Sequence, residues 1–201
     1  MKTKSLLKTA VATLVLTTAI FLPDQTMAQN VPNYVPTNGL VGWWPFNGNA
    51  NDESGNGNNG MVNGATLTND RNGIANNSYS FDGVSNYIEV PSSASISVSS
   101  LYSISAWFNA NVWSFSAPID EHAIVSKIVD GAWYGGYEIY SGGAGTIHHI
   151  GNIGSNFMVG SSGANINTWY NVVTTFDGIK VRYYLNGIKL DSIALTGSLQ
   201  T

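Results

Sequence analysis

Residues 180–187 read KVRYYLNG, and this octet decides the fold class. Val181, Tyr183 and Leu185 alternate with Lys180, Arg182 and Tyr184. A period of two places the first set on one face of a strand and the second on the other. One face then packs inward while the other meets water, as in an antiparallel sheet. Asn186 and Gly187 supply the positive-φ pair of a two-residue hairpin turn. Ile188 to Leu190 is therefore expected to return antiparallel to Tyr183 to Leu185, and Asp177-Gly178 to turn the chain in the same way just upstream.

Outward from this hairpin the same grammar repeats. Short β-branched and aromatic runs are separated by Gly, Asn, Asp and Ser, and no stretch keeps a 3.6-residue period. Strands are expected near 40–46, 60–66, 78–83, 86–91, 101–110, 122–128, 134–141, 146–152, 157–161, 169–177 and 180–193. Roughly ten short strands in a chain of this size imply two packed antiparallel sheets rather than one open sheet.

The N-terminus is an address. Lys2, Lys4 and Lys8 precede an apolar run from Thr9 to Leu22, and Thr26 and Ala28 stand at positions −3 and −1 before Gln29. This is the pattern of a cleaved secretory signal peptide, residues 1–28. The run is shorter than the roughly 20 apolar residues needed to span a bilayer. A linker over 29–37 and a domain over 38–201 follow, and the mature chain is expected to be secreted or held at a bacterial cell surface, with no membrane span.

Composition narrows the chemistry. The chain has 201 residues, of which 10% are charged, with no Cys. Disulfide frameworks, Cys-ligated metals and thiol catalysis are excluded. Beyond Ala28 only Arg71, Lys127, Lys180, Arg182 and Lys189 oppose eleven carboxylates, a net charge of about −6. A phosphate backbone needs a basic patch, so nucleic acid is not an expected partner.

Four blocks then resemble a known family. LVGWWPFNGNANDESGNGNNGMVNG, SFDGVSNYIEVP, SISAWFNAN with IVSK, and WYNVVTTFDGIKVRYYLNGIKL follow one another from Leu40 to Leu190. In that order they resemble a laminin-G-like jelly-roll module of the concanavalin A-like lectin/glucanase superfamily. The resemblance implies an all-β, two-sheet antiparallel jelly-roll sandwich. It also implies further strands beyond the late hairpin, so 38–201 is expected to lack its closing C-terminal strands, exposing an edge near Trp43 and Trp44.

The superfamily includes glucanases, whose chemistry needs two carboxyl groups flanking the scissile bond. The E-x-D-x-x-E spacing of laminarinase-like members is absent, Asp120 and Glu121 are adjacent, and Glu89 and Glu138 stand alone in their strands. No catalytic residue is assigned. An O-glycosyl hydrolase remains an alternative, with carboxylates coming from separate strands or from missing residues.

The loop 47–60, NGNANDESGNGNNG, offers many side-chain oxygens. Calcium takes six to eight such ligands, and the resemblance implies a structural Ca²⁺ at a loop rim. Asn49, Asn51, Asp52 and Asp82 are the candidate ligands. The competing reading is a turn-rich connection in which Asn and Gly relieve backbone constraints.

Aromatic rings stack on the apolar faces of sugars, and they also fill cores. Trp43, Trp107 and Trp169 are expected in the core, with Trp44 on the opposite face from Trp43. The glycan-contact candidates are Trp113, Trp133, Tyr134, Glu138, Tyr140, His148 and Asn152. The alternative is that Tyr137 and Ile139 are core while Glu138 and Tyr140 are solvated. His148 and His149 are adjacent on a strand and point to opposite faces, so they cannot form a metal pair. The leading functional expectation is a non-catalytic carbohydrate-binding module of a larger surface or polysaccharide-processing protein that binds a polysaccharide or glycan. A protein-binding adhesion or assembly module is the alternative.

Overall fold

A computed structural model describes residues 31–113, 122–128 and 136–199. The expected signal segment, residues 1–28, lies outside them. Twelve strands are present among the described residues: β1 (Met61–Asn63), β2 (Thr66–Thr68), β3 (Ser78–Ser80), β4 (Tyr87–Glu89), β5 (Tyr102–Asn109), β6 (His122–Ile128), β7 (Gly136–Gly142), β8 (Thr146–Asn152), β9 (Asn156–Ser161), β10 (Trp169–Phe176), β11 (Lys180–Leu185) and β12 (Ile188–Ala194). Two four-stranded antiparallel sheets dominate, ordered β12-β11-β10-β5 and β6-β7-β8-β9, with β1-β4 and β2-β3 as separate pairs. The chain is a two-sheet β-sandwich with a single short 3₁₀ turn, Gly143–Gly145, among the described residues.

The late hairpin forms as its residues require. Val181 and Tyr183 are fully buried, and Leu185 packs against the same core. Asn186 and Gly187 take φ of 50° and 78°, and Leu185 pairs with Ile188. The upstream turn differs. Gly178 has a positive φ and Asp177 does not. Asp177 instead closes the turn with its side chain, accepting from the backbone N–H groups of Ile179 and Lys180.

The core lies between the two large sheets. Ile139, Ile147, Phe157 and Val159 from one sheet meet Val172, Phe176, Val181 and Tyr183 from the other. Polar ties also join β9 to the other sheet. The hydroxyls of Tyr183 and Ser161 are 3.0 Å apart, and the Gly160 N–H donates to the Asp191 carboxylate at 3.1 Å.

Three expectations need correction. Residues 40–46 form no strand, because loop groups satisfy their backbone: the Trp43 N–H donates to Asp52 Oδ1, and the Trp43 carbonyl accepts from the Glu53 N–H. The Trp44 indole folds back over Gly42, where a Cβ would collide with the ring, and its N–H donates to the Asn58 carbonyl. Trp107 is 48% exposed rather than core. Ile104, Ala106 and Phe108 of β5 pack inward, so strand alternation turns Trp107 outward, where the Arg71 guanidinium sits 4.5 Å from its ring centroid.

Candidate functional site

The site candidates on β7 and β8 converge on one face of the β6-β7-β8-β9 sheet. Register sets this out in rungs. Tyr140 of β7 pairs with His148 of β8, which pairs with Gly160 of β9. Glu138 pairs with Ile150, and Ile150 with Met158. Asn152 pairs with Asn156 at the end of the β8-β9 hairpin. Side chains on paired residues share a face, so Glu138, Tyr140, His148, Asn152, Asn156 and Met158 lie together. The opposite face carries Tyr137, Ile139, Ile147, His149, Phe157 and Val159 into the core.

The chemistry of this face is graded. Tyr140 and His148 rings lie 5.4 Å apart, tilted by 38°. The Tyr140 hydroxyl reaches across β8 to the Met158 sulfur at 3.9 Å, so its ring lies along the sheet. A Cβ at Gly160 would strike the Ile147 carbonyl and the His148 ring. Glycine at 160 is what lets His148 lie across β9. Tyr140 and Glu138 are only 8% and 7% exposed. They therefore form the floor of this face and are neither an open stacking platform nor solvated residues. Met158, at 53% exposure, and His148 are the more accessible groups. Burial holds the His148 imidazole below its ordinary 6.5, so it is neutral near pH 7.

The Asn152 amide is the polar feature of the rim. Its Nδ2 donates to Asn156 Oδ1 at 2.6 Å, while its Oδ1 is buried without a hydrogen-bond partner. A buried acceptor left open costs free energy on the order of 1–3 kcal/mol.

The other candidates are placed elsewhere. Trp113 packs against the hydrophobic core and is not brought to this face by the strand register. Trp133 and Tyr134 lie outside the described residues, as do Asp120 and Glu121.

The loop 47–60 is organised by Asp52. Its carboxylate accepts from the N–H groups of Trp43, Ser54 and Asn58 and from the Ser54 hydroxyl, at 2.8–3.0 Å. Burial pushes its pKa up, but these hydrogen bonds together outweigh that and hold it below 3.8. Asn49 Oδ1 accepts from the Asn51 N–H. Asp82 likewise accepts from the N–H groups of Val84, Ser85 and Asn86 and from the Ser85 hydroxyl. Its pKa falls to about 2 through those backbone bonds. A cation at either carboxylate would have to displace donors already in place. One buried side-chain oxygen of this loop has no partner: Glu53 Oε2, while its Oε1 accepts from Asn47. Among the described residues no group of three or more His, Asp or Glu side chains is arranged to hold a metal.

Sequence reasoning did not single out Asn58. This buried residue donates to the Val41 carbonyl and to Ser95, and accepts from Ser93 and Ser95. It ties the loop to residues 35 or more positions away. Nothing in an Asn/Gly-rich stretch distinguishes such a hub from its neighbours.

The fold is a two-sheet antiparallel β-sandwich, and comparison with known families agrees. The model of the concanavalin A-like lectin/glucanases superfamily, in its laminin-G-like form, matches residues 82–201. The chain belongs to that superfamily. Among solved structures it is similar to domain 4 of AbnA, a GH43 extracellular arabinanase from Geobacillus stearothermophilus, determined in complex with arabinotriose. That match has a TM-score of 0.54 and 16% identity, over 80% of this chain and 81% of the other. A weaker match is an S-layer domain-containing protein from Clostridium thermocellum, with a TM-score of 0.38 and 21% identity, over 77% of this chain and 73% of the other. No curated protein matches the sequence. Among the described residues no helix is long and apolar enough to cross a membrane.

Proposed function

We propose that this chain is a secreted, non-catalytic carbohydrate-binding module of a larger surface or polysaccharide-processing protein, and that it binds a glycan across the β7-β8-β9 face. The observation that carries this reading is the Tyr140–His148 ring pair, with the Asn152 amide on the same sheet face. A sugar offers hydroxyl groups and an apolar C–H face, which answer an amide group and a ring-floored surface respectively. Support from the fold is consistent, since the AbnA domain of similar architecture holds arabinotriose. Residues 1–28 serve as the export signal in this reading.

The test is a glycan array probed with the purified protein and with Asn152→Ala. Binding of at least one glycan, weakened by roughly tenfold in the variant, is the expected result, equivalent to about 1.4 kcal/mol. Capture of a protein partner with no glycan bound would replace this reading with the adhesion alternative. Turnover of a bound polysaccharide would replace it with a glycosidase.

A further inference from the structure

Four of the five Lys and Arg residues beyond residue 30 gather on the outward face of the β12-β11-β10-β5 sheet. Tyr102, Ile104, Val172, Phe176, Val181 and Tyr183 turn into the core, so the alternate residues of these strands face away from it. Register lays those out in rungs. Asn171 pairs with Trp107, Val173 with both Ser105 and Tyr184, Tyr184 with Lys189, and Thr175 with Arg182. Lys180 stands two residues before Arg182, on the same face. Arg71 reaches this surface from the connection between β2 and β3, and its guanidinium stacks 4.5 Å from the Trp107 ring centroid.

Three of these cations are open. The pair Arg182–Asp177 is the one ion pair among the described residues, which leaves Arg71, Lys180 and Lys189 without such a partner there. The carboxylate of neighbouring Asp70 is occupied by the Asn72 and Ile74 N–H groups and the Asn77 amide. No Asp or Glu occurs in β5, β10 or β11, and the one carboxylate of β12, Asp191, accepts from the Gly160 N–H of the other sheet. Two rings lie among the cations: Trp107, at 48% exposure, and half-buried Tyr184. From Trp107 on β5 to exposed Lys189 on β12 is three strand spacings and two residues of rise, roughly 16 Å.

We propose that this surface binds an acidic polysaccharide, one that carries carboxylates at intervals along its chain. Arg71, held flat on Trp107, presents a planar fork of donors that a carboxylate can take bidentately. The sugar rings lie on Trp107 and Tyr184, and a second carboxylate meets Lys189 or Lys180. A small anion cannot reach both ends of that span, whereas an extended chain can. Three open cations are sparse against duplex DNA, which carries one charge per about 1.7 Å. The negative remainder of the chain also repels dense polyanions. This surface is on the other sheet from the β7-β8-β9 face, so it is a second site and does not rest on the first.

Calorimetric titration of the full chain with carboxymethyl-dextran, dextran, duplex DNA and phosphatidylglycerol vesicles, at low and high salt, tests the proposal. Carboxymethyl-dextran should bind at low salt at least roughly tenfold more tightly than dextran, and should lose most of that margin at high salt. Arg71→Gln and Lys189→Gln should each weaken it by roughly threefold or more, and Trp107→Ala, which removes a ring and the support of Arg71, by roughly tenfold. Lys127→Gln makes the same charge change on β6 of the other sheet and should leave binding unchanged. No preference for carboxymethyl-dextran over dextran overturns the proposal. A loss in Lys127→Gln equal to that in Arg71→Gln also overturns it, because net charge rather than this surface would then be responsible. Tighter binding of DNA or vesicles through Arg71 and Lys189 overturns the choice of occupant.

Discussion

Tyr102 Oη lies 2.8 Å from His149 Nε2, in the core between the two large sheets. The other ring nitrogen, Nδ1, is 3.0 Å from the Glu138 carbonyl. A carbonyl only accepts, so Nδ1 carries the proton and donates, and Nε2 accepts from the Tyr102 hydroxyl. His149 therefore belongs here as a neutral imidazole. It joins β8 to β7 through the backbone and to β5 through a side chain, behind the face that carries His148.

This arrangement makes the fold sensitive to acid. Burial drives the His149 pKa down to about 4, against a small opposing pull from its bond to the Glu138 carbonyl. In the unfolded chain the ring titrates near 6.5. Stability from this group is thus complete above about pH 6.5 and declines as the pH falls toward 4, because the unfolded state takes up the proton first. The gap amounts to roughly 3 kcal/mol. Urea melts at pH 7.5 and pH 4.5 should show the loss, and His149→Gln should be less stable at pH 7.5 but flatter across this range. A His149→Gln protein with the wild-type slope would assign the acid sensitivity to other groups.

Asp52 is expected to hold the N-terminal loop rather than a metal. Asp52→Ala leaves the N–H groups of Trp43, Ser54 and Asn58 without their acceptor, a cost on the order of 1–3 kcal/mol. Because its pKa lies below 3.8 in the folded chain, its contribution is present at neutral pH and is lost only as the pH falls through that lowered value. Thermal melts of the wild type and variant at pH 7 measure the difference.

Calcium and EDTA should leave the melting temperature of the wild-type protein unchanged. Asp52 and Asp82 are each engaged by four donors. A calcium-dependent rise would contradict this, and its loss in Glu53→Gln would locate the cation at the unpartnered oxygen Glu53 Oε2.

Gly160→Ala should disturb the candidate site specifically. The new Cβ meets the Ile147 carbonyl and the His148 ring, and such overpacking costs about 1–3 kcal/mol. The His148 ring resonances in an NMR spectrum should move more than those of His122, which lies on β6. Equal shifts at both histidines would mean a global rather than local change.

At the late hairpin Gly187→Ala forces a Cβ into a left-handed turn position, φ 78°. Open space surrounds it, so the penalty is conformational, on the order of 1 kcal/mol. A denaturation midpoint lowered by that amount, with unchanged slope, is expected.

Much of the fold was legible because strand signals are local. The alternation in KVRYYL, the Asn186-Gly187 turn and the runs at 122–128 and 146–152 each contain their own instruction, and the strands formed there. Trp43, Trp44 and Trp107 show where this stops. Their type favours strands and cores, yet two of them sit in a loop held by Asp52 and Asn58, and the third faces outward under Arg71. The site was partly legible in the same sense. Tyr140, His148 and Asn152 could be placed on neighbouring strands, but Trp113 went to the core.

What the sequence determined by itself is the periodicity: which residues alternate, where the chain turns, and that His148 and His149 must part to opposite faces. Only the tertiary structure decided which of the two faces is the inside. That choice depends on what packs across the gap, and Tyr102, Val181 and Tyr183 come from strands distant in the chain. Burial, the tautomer of His149 and the buried, unpartnered oxygen of Asn152 all follow from that choice. They are properties of neighbours brought together by packing, and no local pattern encodes them.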